Sequence, residues 1–131
     1  MRVLLEGEQR LRLQGGGGEL EIQSLDPQVH FSPLHMLAAS LASCTYAVLY
    51  AWGAQARLDT DALEIGVTWE YVEDPYRVGS FDMEIRWPGL SQARRAAALR
   101  VAEYCTVEQT LKQPPRIETR VQTEEGRQAA D

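Results

Sequence analysis

Basic charge is what this sequence has little of. Its 13 Lys and Arg stand against 19 Asp and Glu, a net charge of −6 at neutral pH, and no block of Lys or Arg offsets the deficit. Phosphate backbones are held by clustered cations, so nucleic acid is excluded as a partner. Cysteine and histidine are equally scarce, with two of each in the 131 residues. No Cys-x-x-Cys pair occurs, which removes the common dithiol redox motif and the zinc knuckle. No Gly-x-Ser-x-Gly elbow is present for a serine hydrolase. A long apolar core is missing from residues 1–6, and the C-terminus has no lipidation box. The expectation is a cytoplasmic protein. With 44% apolar and 24% charged residues, the composition is that of an ordinary globular chain. One domain is expected over residues 1–122, followed by a polar tail at 123–131.

What the sequence does have is one uncharged run, residues 31–56. It is long enough to cross a bilayer. Ser40, Ser43, Cys44, Thr45, Tyr46 and Tyr50 lie within it, however, and no basic residues flank it, so a buried helix is the better reading and no membrane partner is expected. Ser32 is placed as N-cap and Pro33 at the first helical position, and the helix should run to about Gln55. Leu37, Leu41, Cys44 and Val48 fall on one stripe; Ser40, Ser43 and Ala47 make a neighbouring face of small residues. A helix apolar nearly all round needs cover on every side. A chain of this size with one further amphipathic helix supplies little of it, which points to a homodimer sharing its central helices.

Either side of this helix the pattern is that of strands. Polar and apolar residues alternate over residues 9–14 and 19–23, with the glycine run 15–18 between them. No Lys-Ser/Thr follows the glycines, so they read as a hairpin turn and not as a phosphate cradle. Leu63, Ile65, Val67, Trp69 and Tyr71 alternate again, as do Phe81, Met83, Ile85 and Trp87, separated by a long loop around Glu73, Asp74, Pro75, Tyr76 and Gly79. A second helix follows from Ser91 to Tyr104. Thr106 and Gln109 have the spacing of a capping box that starts a short third helix. Pro114 and Pro115 end it, and Ile117, Thr119 and Val121 suggest a last strand. Strands, a buried helix, a strand pair, helices and a strand make an α+β fold of antiparallel sheets, not a doubly wound one. Trp52, Trp69 and Trp87 read as core.

The chemistry available is that of thiols. Cys44 lies in the middle of the central helix, where burial should push its thiol up. Cys105 precedes a helix start, whose free N–H groups favour a thiolate. Each, taken alone, is also a common small buried hydrophobe. If the fold joins them, one thiolate can attack a peroxide and the other can resolve the sulfenic acid as a disulfide. His30 and His35 complete a chemically possible metal set with the cysteines, but no two ligands are closely spaced, and no metal is expected.

The segment SPLHMLAASLASC at residues 32–44 is similar to the helix signature of the OsmC/Ohr proteins, osmotically inducible and organic hydroperoxide resistance proteins. Asp74-Pro75 before a strand, AEYCTV at 102–107 and Thr110-Leu111 resemble that family's later segments in the same order. The resemblance implies an intertwined homodimer, with antiparallel sheets wrapped around long buried central helices. It implies a thiol-dependent peroxidase acting on organic hydroperoxides, with Cys44 attacking and Cys105 resolving. No bound cofactor or metal is implied; an external dithiol or lipoyl-type donor would be the reductant. Two positions depart from the family pattern. Leu34 stands where the peroxidases carry a Glu that helps hold a catalytic Arg, and Thr106 stands where Pro is usual. Arg10 and Arg12 are the candidates for that Arg. The alternative reading is a non-catalytic dimer that binds a small apolar ligand, its cysteines structural or vestigial.

Overall fold

In a computed structural model of the chain, the described residues are 1–5, 10–23, 25 and 32–124. Strands β1 (Arg2–Leu5), β2 (Arg10–Gly15) and β3 (Gly18–Gln23) precede helix α1 (Pro33–Gln55). Strands β4 (Glu64–Val72) and β5 (Arg77–Arg86) follow, then a 3-10 turn (Gln92–Arg94), α2 (Arg95–Ala102) and α3 (Thr106–Lys112). The α+β reading is borne out.

The first sheet is an antiparallel meander in the order β1-β2-β3. The glycine run forms its tip, where Gly16 and Gly17 take positive φ of 46° and 111°, conformations that a Cβ disfavours. β1 is not expected from the sequence, since a run of four residues is too short to show alternation. The second sheet is the β4–β5 hairpin, with Trp69 opposite Phe81 and Ile65 opposite Ile85. Its connection is a tight turn over residues 73–76, not the expected long loop. β5 already begins at Arg77, and Gly79, read as part of the break, lies within the strand.

α1 begins and ends as expected. Ser32 occupies the N-cap position with extended backbone and Pro33 opens the helix, although the serine side chain makes no cap hydrogen bond. The buried face is shifted from the expected stripe. It runs through Ala38, Leu41, Thr45, Leu49 and Gly53, while Cys44 and Val48 are only half-buried. α1 is long and apolar enough to cross a membrane by length and composition; here this one stripe packs on β4, α2 and α3. Its other side, including Ala39, Ser43, Tyr46, Ala47 and Tyr50, is exposed in the single chain. The all-round burial expected of the helix is therefore not provided by the chain itself.

The core joins the far end of α1 to the second sheet and α2: Leu49, Leu63, Trp87, Ala98 and Ala102 are buried together. Trp87 anchors it, donating its indole N–H to the Asp59 carbonyl at 2.7 Å and meeting Trp52 edge-on at 5.9 Å. Trp69 is half-buried and meets His35 edge-on at 5.1 Å. α1 approaches Trp87 so closely because residue 53 is glycine. A Cβ there would lie 2.8 Å from the Thr60 methyl and 3.0 Å from the Trp87 ring.

Two further expectations are corrected. Cys105, not Thr106, is the N-cap of α3: its sulfur accepts the Glu108 N–H at 3.3 Å. Gln109 does not close a box, and its side chain donates instead to the Glu103 carbonyl at 2.8 Å. Residues 113–123 form no strand and are exposed, with Ile117 and Val121 each 84% accessible, because no described strand lies beside them to pair with. Of the expected tail, only residues 123 and 124 are among those described.

Gly53→Val is expected to lower stability by about 1–3 kcal/mol through overpacking against Trp87. Urea unfolding followed by tryptophan fluorescence would read this as a lower midpoint at unchanged slope.

Candidate active site

The two cysteines, far apart in sequence, meet where the middle of α1 crosses the start of α3. The helix period sets this up on the α1 side. Leu41 and Thr45, one turn apart, face inward, and Cys44 sits at the margin of that face, half-buried. On the other side the chain leaves α2 and turns with the Cys105 N–H on the Ala102 carbonyl at 3.2 Å. This sinks Cys105 completely, at 0% exposure. The Cys105 sulfur lies 3.9 Å from the Leu41 carbonyl, which its S–H can reach.

The electrostatics of the two sulfurs are opposite to the sequence expectation. The Cys44 thiol is held below its ordinary value, first by a hydrogen bond from Cys105 and then by the Val107 N–H, with the Thr106 N–H adding to them. Partial burial opposes these donors and does not prevail. Cys105 is pushed up, first by burial and then by its bond to Cys44, against the Glu108 N–H and the Thr45 hydroxyl. The α3 N–H groups were expected to serve Cys105, which they precede in sequence. Two of them reach across to Cys44 instead, and burial decides the fate of Cys105. The pair thus contains one sulfur prepared to be anionic and one prepared to keep its proton and donate it.

Beside the pair lies a cavity of about 350 Å³, lined mainly by Leu41, Val78, Phe81, Met83 and Leu111, with Glu108 and Lys112 joined by an ion pair at 3.2 Å. Its lining is mixed, with Ser80 and that ion pair among the apolar side chains, and neither cysteine is part of it. Met83 and Thr45 are visible in the sequence only as a strand position and a polar residue of the uncharged run, and neither they nor Glu108 stand out there as site residues. For Thr45 a signal existed, a hydroxyl midway between Leu41 and Leu49 in an i, i+4 series. Glu108 and Met83 come from the fold alone.

The remaining candidates fall elsewhere. Arg10 pairs with Glu21 at 2.8 Å and Arg12 with Glu19 at 3.2 Å across β2 and β3. Leu34 is half-buried in the first turn of α1. His35 stacks edge-on with Trp69, and His30 lies outside the described residues. Among the described residues, no three His, Cys, Asp or Glu side chains converge on a point that could hold a metal.

Comparison with known proteins gives this arrangement a context. The OsmC-like protein family matches residues 25–120, which include both cysteines. The chain belongs to the OsmC-like family. No curated protein matches it. Solved structures do. One is from Psychrobacter arcticus 273-4, a protein named for osmotic stress induction and a detoxification response; it is 24% identical, with a TM-score of 0.66 over 83% of this chain and 85% of that one. An OsmC-like hydroperoxide resistance protein from Jannaschia sp. CCS1 is 19% identical, with a TM-score of 0.57 over 94% and 91%. A protein from Lactobacillus casei ATCC 334 named as a redox protein is 19% identical, with a TM-score of 0.64 over 85% and 81%. At these identities the likeness is one of fold, and the OsmC-like α+β fold expected from residues 32–44 and 102–107 is the fold found.

Alkylation of Cys44 by iodoacetamide should follow a titration centred below the ordinary thiol value of about 8.5. Cys105→Ala, which removes the S–H donor, should move that midpoint up, and Cys105→Ser, which keeps an O–H donor, should move it less. Peptide mass mapping across pH reads all three.

Proposed function

We propose that this OsmC-like protein is a thiol peroxidase for organic hydroperoxides, working as a homodimer in the cytoplasm. The observation that carries the reading is the direct contact between a Cys44 thiol held low and a Cys105 thiol held high. Attack on a peroxide needs a thiolate, and resolution needs a second sulfur within bonding reach of the product.

In the first step the Cys44 thiolate attacks the terminal oxygen of ROOH. An S–O bond forms as the O–O bond breaks, and the alkoxide leaves as the alcohol after taking a proton. In the second step Cys105 attacks the sulfur of the Cys44 sulfenic acid. The S–S bond forms as the S–O bond breaks, and the departing hydroxide leaves as water with the proton that Cys105 gives up. A dithiol of the dihydrolipoyl type would then reduce the disulfide by exchange and leave oxidised. In peroxidases of this family an Arg positioned by Glu activates the thiolate. With Leu34 at the Glu position, the Cys105 S–H and the Val107 and Thr106 N–H groups supply that assistance here.

The substrate reading follows from the cavity. Leu41, Val78, Phe81, Met83 and Leu111 offer an alkyl chain apolar contacts, whereas hydrogen peroxide would bury no hydrocarbon there. The dimer reading is supported by two surfaces that the chain leaves uncovered. One is the small-residue face of α1, with Tyr46 and Tyr50 stacked beside it at 38% and 49% exposure. The other is the strand-like alternation of Ile117 and Val121 with no partner among the described residues. The ligand-binding alternative draws on Leu34 and the same apolar cavity, and the same assay decides between them.

With cumene hydroperoxide and dihydrolipoamide, turnover is expected to exceed that with hydrogen peroxide by at least about tenfold, roughly the effect of burying two methylenes. Cys44→Ser should abolish turnover, while Cys105→Ser should take up peroxide once and stop at a dimedone-reactive sulfenic acid. A protein that binds alkyl ligands but leaves the hydroperoxide unchanged would establish the alternative.

A further inference from the structure

Thr45 is the buried polar residue among those described, at 0% exposure. A threonine inside a helix commonly turns its hydroxyl back to the carbonyl four residues earlier, which for Thr45 is that of Leu41. Here the Leu41 carbonyl faces the Cys105 sulfur at 3.9 Å. The Thr45 hydroxyl points across to β5 and donates to the Met83 thioether at 3.7 Å. A thioether is a weak acceptor, so this hydrogen bond is easily exchanged for a better one. The better acceptor is on the same buried face: Cys105 rests its sulfur against Leu41, one helical turn from Thr45, and the Thr45 hydroxyl is among the donors that favour the Cys105 thiolate.

We propose that Thr45 is the positioning residue of the resolving step, its hydroxyl turning from Met83 to Cys105 as Cys105 gives up its proton. The proposal rests on the peroxidase reading for its place in the reaction. As a thiol, Cys105 has a single proton to donate, with Cys44 and the Leu41 carbonyl as its two acceptors. Once deprotonated it can only accept, and a fully buried thiolate needs donors to replace water. The Glu108 N–H is one, already at 3.3 Å; the Thr45 hydroxyl is the other. Held between them, the thiolate attacks the Cys44 sulfenic sulfur, the S–S bond forms, and hydroxide departs as water with the proton Cys105 released. Among the described residues, the titratable group facing Cys105 is Cys44 from α1; α3 presents the backbone N–H of Glu108, whose carboxylate is paired with Lys112. β5 presents Met83 on that side, and its neighbours Asp82 and Glu84 are exposed.

The test compares Thr45→Val, which keeps the shape and removes the hydroxyl, with Thr45→Ser, which keeps the hydroxyl. Two readouts are taken. The ionisation of Cys105 is followed by thiolate ultraviolet absorbance in a Cys44→Ser background. Disulfide formation is followed after one equivalent of cumene hydroperoxide, separately from the initial oxidation of Cys44. Thr45→Val is expected to raise the Cys105 midpoint by about one pH unit and to slow disulfide formation about tenfold at neutral pH, more than it changes the initial oxidation of Cys44. Thr45→Ser should restore both. The proposal is overturned if Thr45→Val matches the parent in the midpoint, or if Thr45→Ser is as impaired as Thr45→Val, which would mark a packing role. If the peroxide leaves Cys44 untouched, the peroxidase reading fails by itself; the Cys105 midpoint still decides whether Thr45 serves that sulfur.

Discussion

Two sulfurs in contact where α1 crosses the start of α3 are the constraint around which the rest of this molecule is arranged. Neither element alone would distinguish them. Cys44 in an isolated helix would be an ordinary exposed thiol, and Cys105 ahead of an isolated helical turn would take the benefit of its N–H groups. Brought together, they divide the roles: Cys44 receives the Cys105 S–H and the N–H groups of Val107 and Thr106, and Cys105 bears the cost of burial. The asymmetry is geometric in origin. The chain turns after α2 so that the Cys105 side chain is buried against α1, with the Thr106 and Val107 N–H groups directed at Cys44 and the Glu108 N–H at Cys105.

That contact needs α1 to be a fixed platform, and the packing at its far end provides one. Gly53 lets the helix lie against Trp87 and Thr60. Leu49, Leu63, Trp87, Ala98 and Ala102 close over it. α3, by contrast, has no fully buried residue and only seven in all, too few for a helix to hold itself together in water. It is held by packing against α1, by the Glu108–Lys112 ion pair and by Cys105, whose sulfur is its N-cap. The same atom therefore caps the helix and faces Cys44, so fold and candidate chemistry are not separable at this point.

Much of this was legible in the sequence. The uncharged run bounded by Ser32-Pro33 gave α1 nearly to the residue, and the alternation through Trp69 and Phe81 gave β4 and β5. The order of motifs from residue 32 to 111 gave the family. What failed did so for identifiable reasons. The capping box at Thr106 was one residue off because a cysteine sulfur can occupy the cap that hydroxyls usually take. The inward stripe was misphased because Ala38, Thr45 and Gly53, small enough for close packing, line it with Leu41 and Leu49 in preference to Leu37 and Val48. The strand at residues 117–121 has the right alternation, but pairing is a property of its neighbours. Which thiol would be lowered could not be read at all, since burial and donors that act across the fold set it.

The central claim is that Cys44 and Cys105 form one two-electron unit, and intact mass after a single equivalent of cumene hydroperoxide tests it most directly. Loss of both free thiols together is expected, with a product lighter than the reduced chain by two hydrogen atoms and full return of both thiols on adding a dithiol. A product heavier by one oxygen in the unmodified protein, with Cys105 still titratable as a free thiol, would contradict it.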